Sequence, residues 1–324
     1  MGTGARTWRL AMAEALYGED GFYRRGGAPA GHFRTAVTGG GAPVLAAALH
    51  RVAVDAGLRT VIDVGAGGGE LLGALYDLDP TLDLHGVDVA PRPASLPPPV
   101  QWWSRTPTGL TALLIAHEWL DNVPIDVVVP TPSGSRVLLV DDAGQESPGP
   151  PPGRPDAAWL RRWWPPGEQH HRAEVGRSRD RAWTGVLDCL AGGLAIAVDY
   201  GHLAGDRPPH GSLTAFRAGR EVPPVPDGRR DLTAHVALDA CRAAGERAVG
   251  RSARLLRQRC ALHALGVDGR RPPLALAGRD PQAYAAGLAR ASAAAALTDP
   301  AGLGGFWWLV QPLDRPIPAV LARG

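Results

Sequence analysis

The sequence predicts an α/β fold around a largely parallel sheet, and three observations predict it. Short apolar runs rich in β-branched residues recur along the chain, helical spacings fall between several of them, and one run passes through a glycine-rich turn directly into a helix. The run Thr60–Val64 (TVIDV) is nearly all apolar, as a strand buried on both faces must be. Similar runs stand at 84–87, 100–103, 112–116 and 193–198, and FWWLVQ (306–311) reads as a closing strand. Helical patterns cover 8–16, 43–56 (closed by Gly57), 70–78, 178–190, 253–265 and 281–297. The spacing predicts a hairpin over 124–140 around a Pro-Ser-Gly turn. Proline then argues for a mobile loop over 145–156. The expected organisation is an N-terminal helical, glycine-rich lid segment (1–57), followed by a Rossmann-like domain (58–324) with insertions near 124–172 and 203–235.

Composition narrows the function. A chain of 324 residues, 45% hydrophobic and 20% charged, buries enough apolar surface to fold without disulfides. All 34 basic side chains are arginine, and the net charge is only +2, which argues against coating a polyanion. No nucleic-acid or membrane partner is expected. Cys189, Cys241 and Cys260 are odd in number and far apart, so neither a disulfide framework nor a cysteine-based metal site is expected. The first residues lack a leader-type apolar run, and the expectation is a cytoplasmic protein without a metal.

The sharpest local signal is VIDVGAGGGELL (61–72). Gly65, Gly67 and Gly69 let the backbone approach a ligand, and the helix that follows aims its free N–H groups at the same place. Asp88 closes the next strand, nineteen residues after Gly69, where a carboxylate can accept both hydrogen bonds of a ribose diol. A dinucleotide fingerprint from Gly65 needs glycine where Glu70 stands, and Asp63 beside the turn repels a pyrophosphate. A cationic nucleoside without phosphate fits better. S-adenosylmethionine, which leaves as S-adenosylhomocysteine, is the expected cofactor; a bare strand–helix turn is the bland alternative.

A second acidic group follows the fourth strand: His117, Glu118 and Asp121, in AHEWLDNVP. A helical turn starting there would put Glu118 and Asp121 on one face, and helix capping is the competing reading. Asp199 is placed similarly after a later strand and could serve only local backbone donors.

At this point the chain resembles the MidA-like S-adenosylmethionine-dependent methyltransferases, which include a mitochondrial complex I assembly factor. LYGEDGFY (16–23), GHFRT (31–35), VIDVGAGGGEL, AHEWLDNVPIDVV, VDYGH (198–202), and GSLTAFRAGR with DLTAHV (231–236) carry the resemblance. The residue before Glu118 departs from the family pattern (His117 for asparagine), as does His32 before Phe33. The resemblance implies a class I methyltransferase sheet, the cofactor residues Asp63, Gly65, Gly67, Gly69 and Asp88, and a protein arginine as acceptor. Glu118 is assigned to orient the acceptor, with Asp121 in support and His117 as proton acceptor. Tyr23, Thr35, Asp231 and His235 are assigned to the substrate side. The alternatives are a small-molecule methyltransferase of secondary metabolism and a non-catalytic assembly factor that keeps the pocket. A nicotinamide-dependent oxidoreductase is disfavoured by Asp63 and Glu70.

Overall fold

The structure is a computed structural model and describes residues 4–24 and 40–322. These form two compact units. The sheet unit comprises 40–117, 189–198 and 251–322, and the second unit 4–24, 118–188 and 199–250. The cut expected at residue 57 is not where the structure divides, because the helix Ala42–Asp55 belongs to the sheet unit.

Seven strands make the sheet of the first unit: β1 (Thr60–Val64), β2 (Asp83–Val87), β3 (Gln101–Trp103), β4 (Leu110–His117), β5 (Leu190–Asp199), β6 (Arg254–Arg257) and β7 (Trp307–Pro312). Their order is β6-β7-β5-β4-β1-β2-β3. β1 pairs in parallel with β2 and β4, β4 with β5, and β2 with β3, while β6 and β7 run antiparallel. The order reverses beside β1, so the carboxyl ends of β1, β2 and β4 frame the place where open α/β sheets bind ligands.

The core explains the pattern. On β4, residues from Ala112 onward are buried, as a strand covered on both faces requires. Helix α1 (Ala42–Asp55) starts with a proline in its first turn and buries Leu45, Leu49 and Val52 in the cluster holding Val61, Leu113, Ile196 and Trp308. Each such side chain contributes about 1.5–3 kcal/mol. The buried Gln258 is fully used: its Oε1 accepts from Trp308 Nε1 (3.0 Å), and its Nε2 donates to the carbonyls of Leu297 (3.2 Å) and Leu303 (3.0 Å).

The single helix expected over 253–265 is instead β6 followed by a helix at Gln258–Ala264. Pairing with β7 overrides local helix propensity there, placing Leu255 opposite Leu309.

In the second unit the expected hairpin is present, with Asp126–Val129 antiparallel to Arg136–Val140. The segment expected as a mobile loop is partly ordered: Glu146–Pro148 pairs with Arg136–Val140, and a helix runs over Arg154–Trp163. Proline is tolerated at an edge strand and in a helix's first turn, where Pro148 and Pro155 fall, while Pro150, Pro151 and Pro152 lie between the two elements. The helix Trp8–Tyr17 packs Trp8, Met12 and Leu16 against Ile125, Val127, Leu138 and Leu232. A three-stranded sheet, Arg220–Val222, Thr214–Arg217 and Asp231–Thr233, occupies the predicted insertion near 203–235. Among the described residues, no helix is long and apolar enough to cross a membrane.

Gly193 is the tightest point of the β4–β5 pairing: its φ is +112°, and an added Cβ would lie 2.0 Å from the Ala112 carbonyl oxygen. Gly193→Ala should therefore cost at least about 2 kcal/mol and lower the melting temperature by several degrees, read by thermal unfolding.

Candidate functional site

The glycine turn is built on the end of β1. Gly65, Gly67 and Gly69 all have positive φ (75°, 53° and 75°), a conformation that only glycine adopts cheaply. Gly69 is the residue immediately before helix α2 (Glu70–Leu78); a Cβ there would strike the Leu96 methyls at 2.7 Å, whereas at Gly67 it would meet nothing within 4 Å. The turn is tied to the end of β2, with the N–H groups of Gly65 (2.9 Å) and Ala66 (3.2 Å) donating to the Val87 carbonyl. Asp88 completes the tie. Its two carboxylate oxygens accept the N–H groups of Gly67 and Ala90, each at 2.8 Å.

Charge distinguishes this turn from a plain strand–helix junction. Asp63 is buried, and burial raises its pKa to about 7, with the nearby Asp88 and Glu70 adding to the rise. Burial raises that of Asp88 as well. A cluster of carboxyl groups reluctant to ionise, beside open space, fits a positively charged ligand and opposes a pyrophosphate. The donor set therefore fits S-adenosylmethionine, whose sulfonium and ammonium are cationic. His117, at the end of β4, is buried, and burial lowers its pKa to about 4, so its imidazole is neutral near pH 7.

The second unit holds the other acidic group. No helix begins at Glu118, contrary to the helical turn expected there; Glu118 has φ +50°, a strained conformation for a residue with a side chain. Asp199 shapes this stretch from within. Its Oδ2 accepts the N–H groups of Leu120 (2.9 Å) and Asp121 (3.1 Å), and its Oδ1 that of Tyr200 (3.0 Å). The reading of Asp199 as a partner for backbone donors holds, although those donors come from the stretch carrying Glu118 as well as from its own neighbour.

Asp121 is buried. Its Oδ2 accepts the hydroxyls of Tyr200 (2.5 Å) and Thr233 (2.6 Å), while its buried Oδ1 has no hydrogen-bond partner among the described residues. Asp231 Oδ1 accepts from Tyr23 (2.7 Å) and from Asn122 Nδ2 (3.0 Å). The exposed His235 packs edge-on against Tyr200, with ring centroids 5.2 Å apart. Burial, and then the neighbouring Asp121, raises the pKa of both Asp199 and Asp231.

The structure thus gathers Glu118, Asp121, Asp231, Tyr23 and His235 in the second unit, and Asp63, the three glycines, Asp88 and His117 in the sheet unit. Thr35 lies outside the described residues. Sequence reasoning missed Tyr200, Thr233 and Asn122, all of which lie in or beside the quoted motifs. It also missed Arg179, for which no local signal existed. The Arg179 guanidinium is buried and donates to the carbonyls of Asp121 (2.5 Å), His235 (2.8 Å) and Val123 (3.3 Å).

Comparison with known proteins bears on the fold and the cofactor. A family model described as "Putative S-adenosyl-L-methionine-dependent methyltransferase" matches residues 80–256. That span begins after the glycine turn and contains Asp88, His117, Glu118, Asp121, Asp199, Asp231 and His235. No curated protein matches the chain. Among solved structures, it is similar to a candidate methyl transferase from Burkholderia thailandensis bound to S-adenosyl-homocysteine. The two are 24% identical with a TM-score of 0.79, over 99% of this chain and 91% of that one. A native crystal structure of an uncharacterized protein from the same organism is 25% identical with a TM-score of 0.78, over the same shares.

Asp63 generates a prediction with a definite sign. Its folded pKa of about 7 lies above the ordinary 3.8, so the folded state keeps a proton that the unfolded chain has lost. Stability therefore falls as pH rises from about 4 to 7. Without cofactor, Asp63→Asn should stabilise the protein at pH 8 by on the order of 1–3 kcal/mol in denaturant unfolding. The same substitution should weaken S-adenosylmethionine at least about tenfold, and the wild-type gain in affinity as pH rises through about 7 should vanish in calorimetric titration.

Proposed function

The chain belongs to this family of S-adenosyl-L-methionine-dependent methyltransferases, and on that premise we propose that its acceptor is an arginine side chain of a protein. The bound cofactor supplies a methyl group on an electrophilic sulfonium. Asp63, Gly65, Gly67, Gly69 and Asp88 are assigned to hold it: the carboxyl of Asp63 for its positive charge, the glycine backbone for close approach, and Asp88 for the ribose hydroxyls. The similar Burkholderia structure bound to S-adenosyl-homocysteine supports the choice of cofactor.

The observation that carries the acceptor reading is a deficit of positive charge. Asp121, Asp199 and Asp231 are buried in the second unit with two buried guanidinium groups: Arg207 pairs with Asp239 at 2.6 Å, and Arg179 donates to the carbonyls of Asp121, Val123 and His235. Among the described residues, Asp121 Oδ1 has no donor. A guanidinium supplies both a cation and planar N–H donors, which match a carboxylate better than an ammonium does. Glu118 is assigned to orient that group and localise its charge, and Asp121, fixed by Tyr200 and Thr233, supports it. An acceptor nitrogen must shed a proton as it is methylated, and neutral His117 is assigned to take it. Tyr23, Asp231 and His235 are assigned to the acceptor side, and Thr35 with them. Among the described residues the three cysteines form no disulfide, which suits a reducing compartment, and the cytoplasm is the proposed one.

Incubation with methyl-labelled cofactor and a lysate of the native host tests the acceptor. Label should enter protein and appear as methylarginine after acid hydrolysis; label confined to small molecules would overturn the reading. Glu118→Gln should lower methyl transfer by at least about a hundredfold while cofactor affinity stays within about twofold. Equal turnover in that variant would remove Glu118 from its role.

A further inference from the structure

A cavity of about 430 Å³ opens in the second unit among the helices Arg154–Trp163, Arg177–Leu187 and Leu238–Val249. Four guanidinium side chains line it: Arg162, Arg177, Arg181 and Arg247. Its one lining carboxyl group is Asp180. The Oδ2 of Asp180 accepts from Trp159 Nε1 at 2.7 Å; burial pushes its pKa up to about 6, so near pH 7 it is mostly ionised and sets one negative charge against four guanidinium groups. Arg177 is matched by Asp156, at 2.5 Å. Among the described residues, Arg162, Arg181 and Arg247 have no carboxylate within ion-pair distance.

Arg162 and Arg247 sit in the last turns of their helices, where the helix dipole favours a cation. That accounts for a basic residue at each position but not for the convergence on one hollow of three guanidinium groups without an ion-pair partner, which repel one another and outnumber the single Asp180 charge. An anion relieves that repulsion. Guanidinium groups grip phosphoryl oxygens in pairs, and the volume lies within the range of small-molecule sites. Trp163 adds a flat face: it lines the cavity half-buried, with the Arg162 guanidinium 4.8 Å from its ring centroid.

From these observations we infer that this cavity binds a phosphate-bearing small molecule, with Arg162, Arg181 and Arg247 holding the phosphate and Trp163 receiving a planar part. The site lies within the second unit and is independent of the acceptor assignment above.

Calorimetric titration of the full chain tests it with UDP, uridine and inorganic pyrophosphate, none of which carries the adenosine that the glycine turn would take. UDP should bind saturably, uridine should not, and raising the salt should weaken UDP steeply. The double variant Arg162→Gln/Arg247→Gln alters two exposed side chains and so keeps the fold, which thermal melting checks. It should lose at least about tenfold in UDP affinity. UDP tighter than pyrophosphate would support a nucleotide-like occupant, and equal affinities would support a free polyphosphate on the same arginines. The inference is overturned by an absence of UDP binding, by uridine binding as tightly as UDP, or by the double variant binding UDP like the wild type.

Discussion

Taking a carboxyl group out of water is costly unless something compensates it, and this protein does so repeatedly at the residues that matter. Asp63 in the sheet unit and Asp121, Asp199 and Asp231 in the second unit are all nearly inaccessible to solvent. The compensation differs in each case. Asp199 is met by three backbone N–H groups, and in satisfying them it fixes the stretch that carries Glu118 at positive φ. Asp121 is met on one oxygen only, by two hydroxyls. Asp63 is met by no comparable set and instead sits near two further acidic groups, so its proton is retained to about neutral pH. A folded state that tolerates such groups gives up stability to keep them, and a cationic ligand returns part of it through linkage.

The sheet makes that arrangement possible. Parallel strands deliver their carboxyl ends to one edge, and the reversal of order beside β1 leaves that edge open where β1, β2 and β4 finish. Asp63, Asp88 and His117 all stand at these ends. The glycine turn then has to change direction within a few residues while bonded to Val87 and Asp88. Leu96 fills the space beside Gly69, so the turn is packed on one side and open at Gly67 on the other.

What the sequence disclosed follows from how local each cause is. The strand, turn and helix over 60–78 are encoded by neighbours: a β-branched run, glycines where φ must be positive, and apolar helical spacing. The helix Glu70–Leu78 was legible to the residue. β6 was not, because its pairing partner β7 lies some fifty residues away and the local spacing also suits a helix. The strand Glu146–Pro148 was hidden for a related reason: its proline content argues against regular structure, while its place at the sheet's edge tolerates proline. Among the acidic residues, motif spacing brought Glu118, Asp121 and Asp231 into view. The tyrosine and threonine hydroxyls that hold Asp121 come from positions 79 and 112 residues distant, and no local pattern announces such a bond.

Arg179 shows why the buried carboxyl groups near it keep unused lone pairs although a guanidinium lies close by. A guanidinium beside carboxylates usually spends its planar fork on them. Here the fork is turned to the carbonyls of Asp121, Val123 and His235, joining two stretches of chain that carry candidate acceptor-side residues. Burial raises the pKa of Asp121 and Asp199, and the charge of Arg179 opposes that rise, because a Coulombic effect needs proximity and not a bond. The two roles therefore separate: the N–H groups of Arg179 hold the backbone, and its field partly offsets the carboxyl groups without occupying their oxygens. A planar cation entering from outside would find lone pairs that the protein's own arginine has left available, which is the electrostatic basis for assigning the acceptor as a guanidinium.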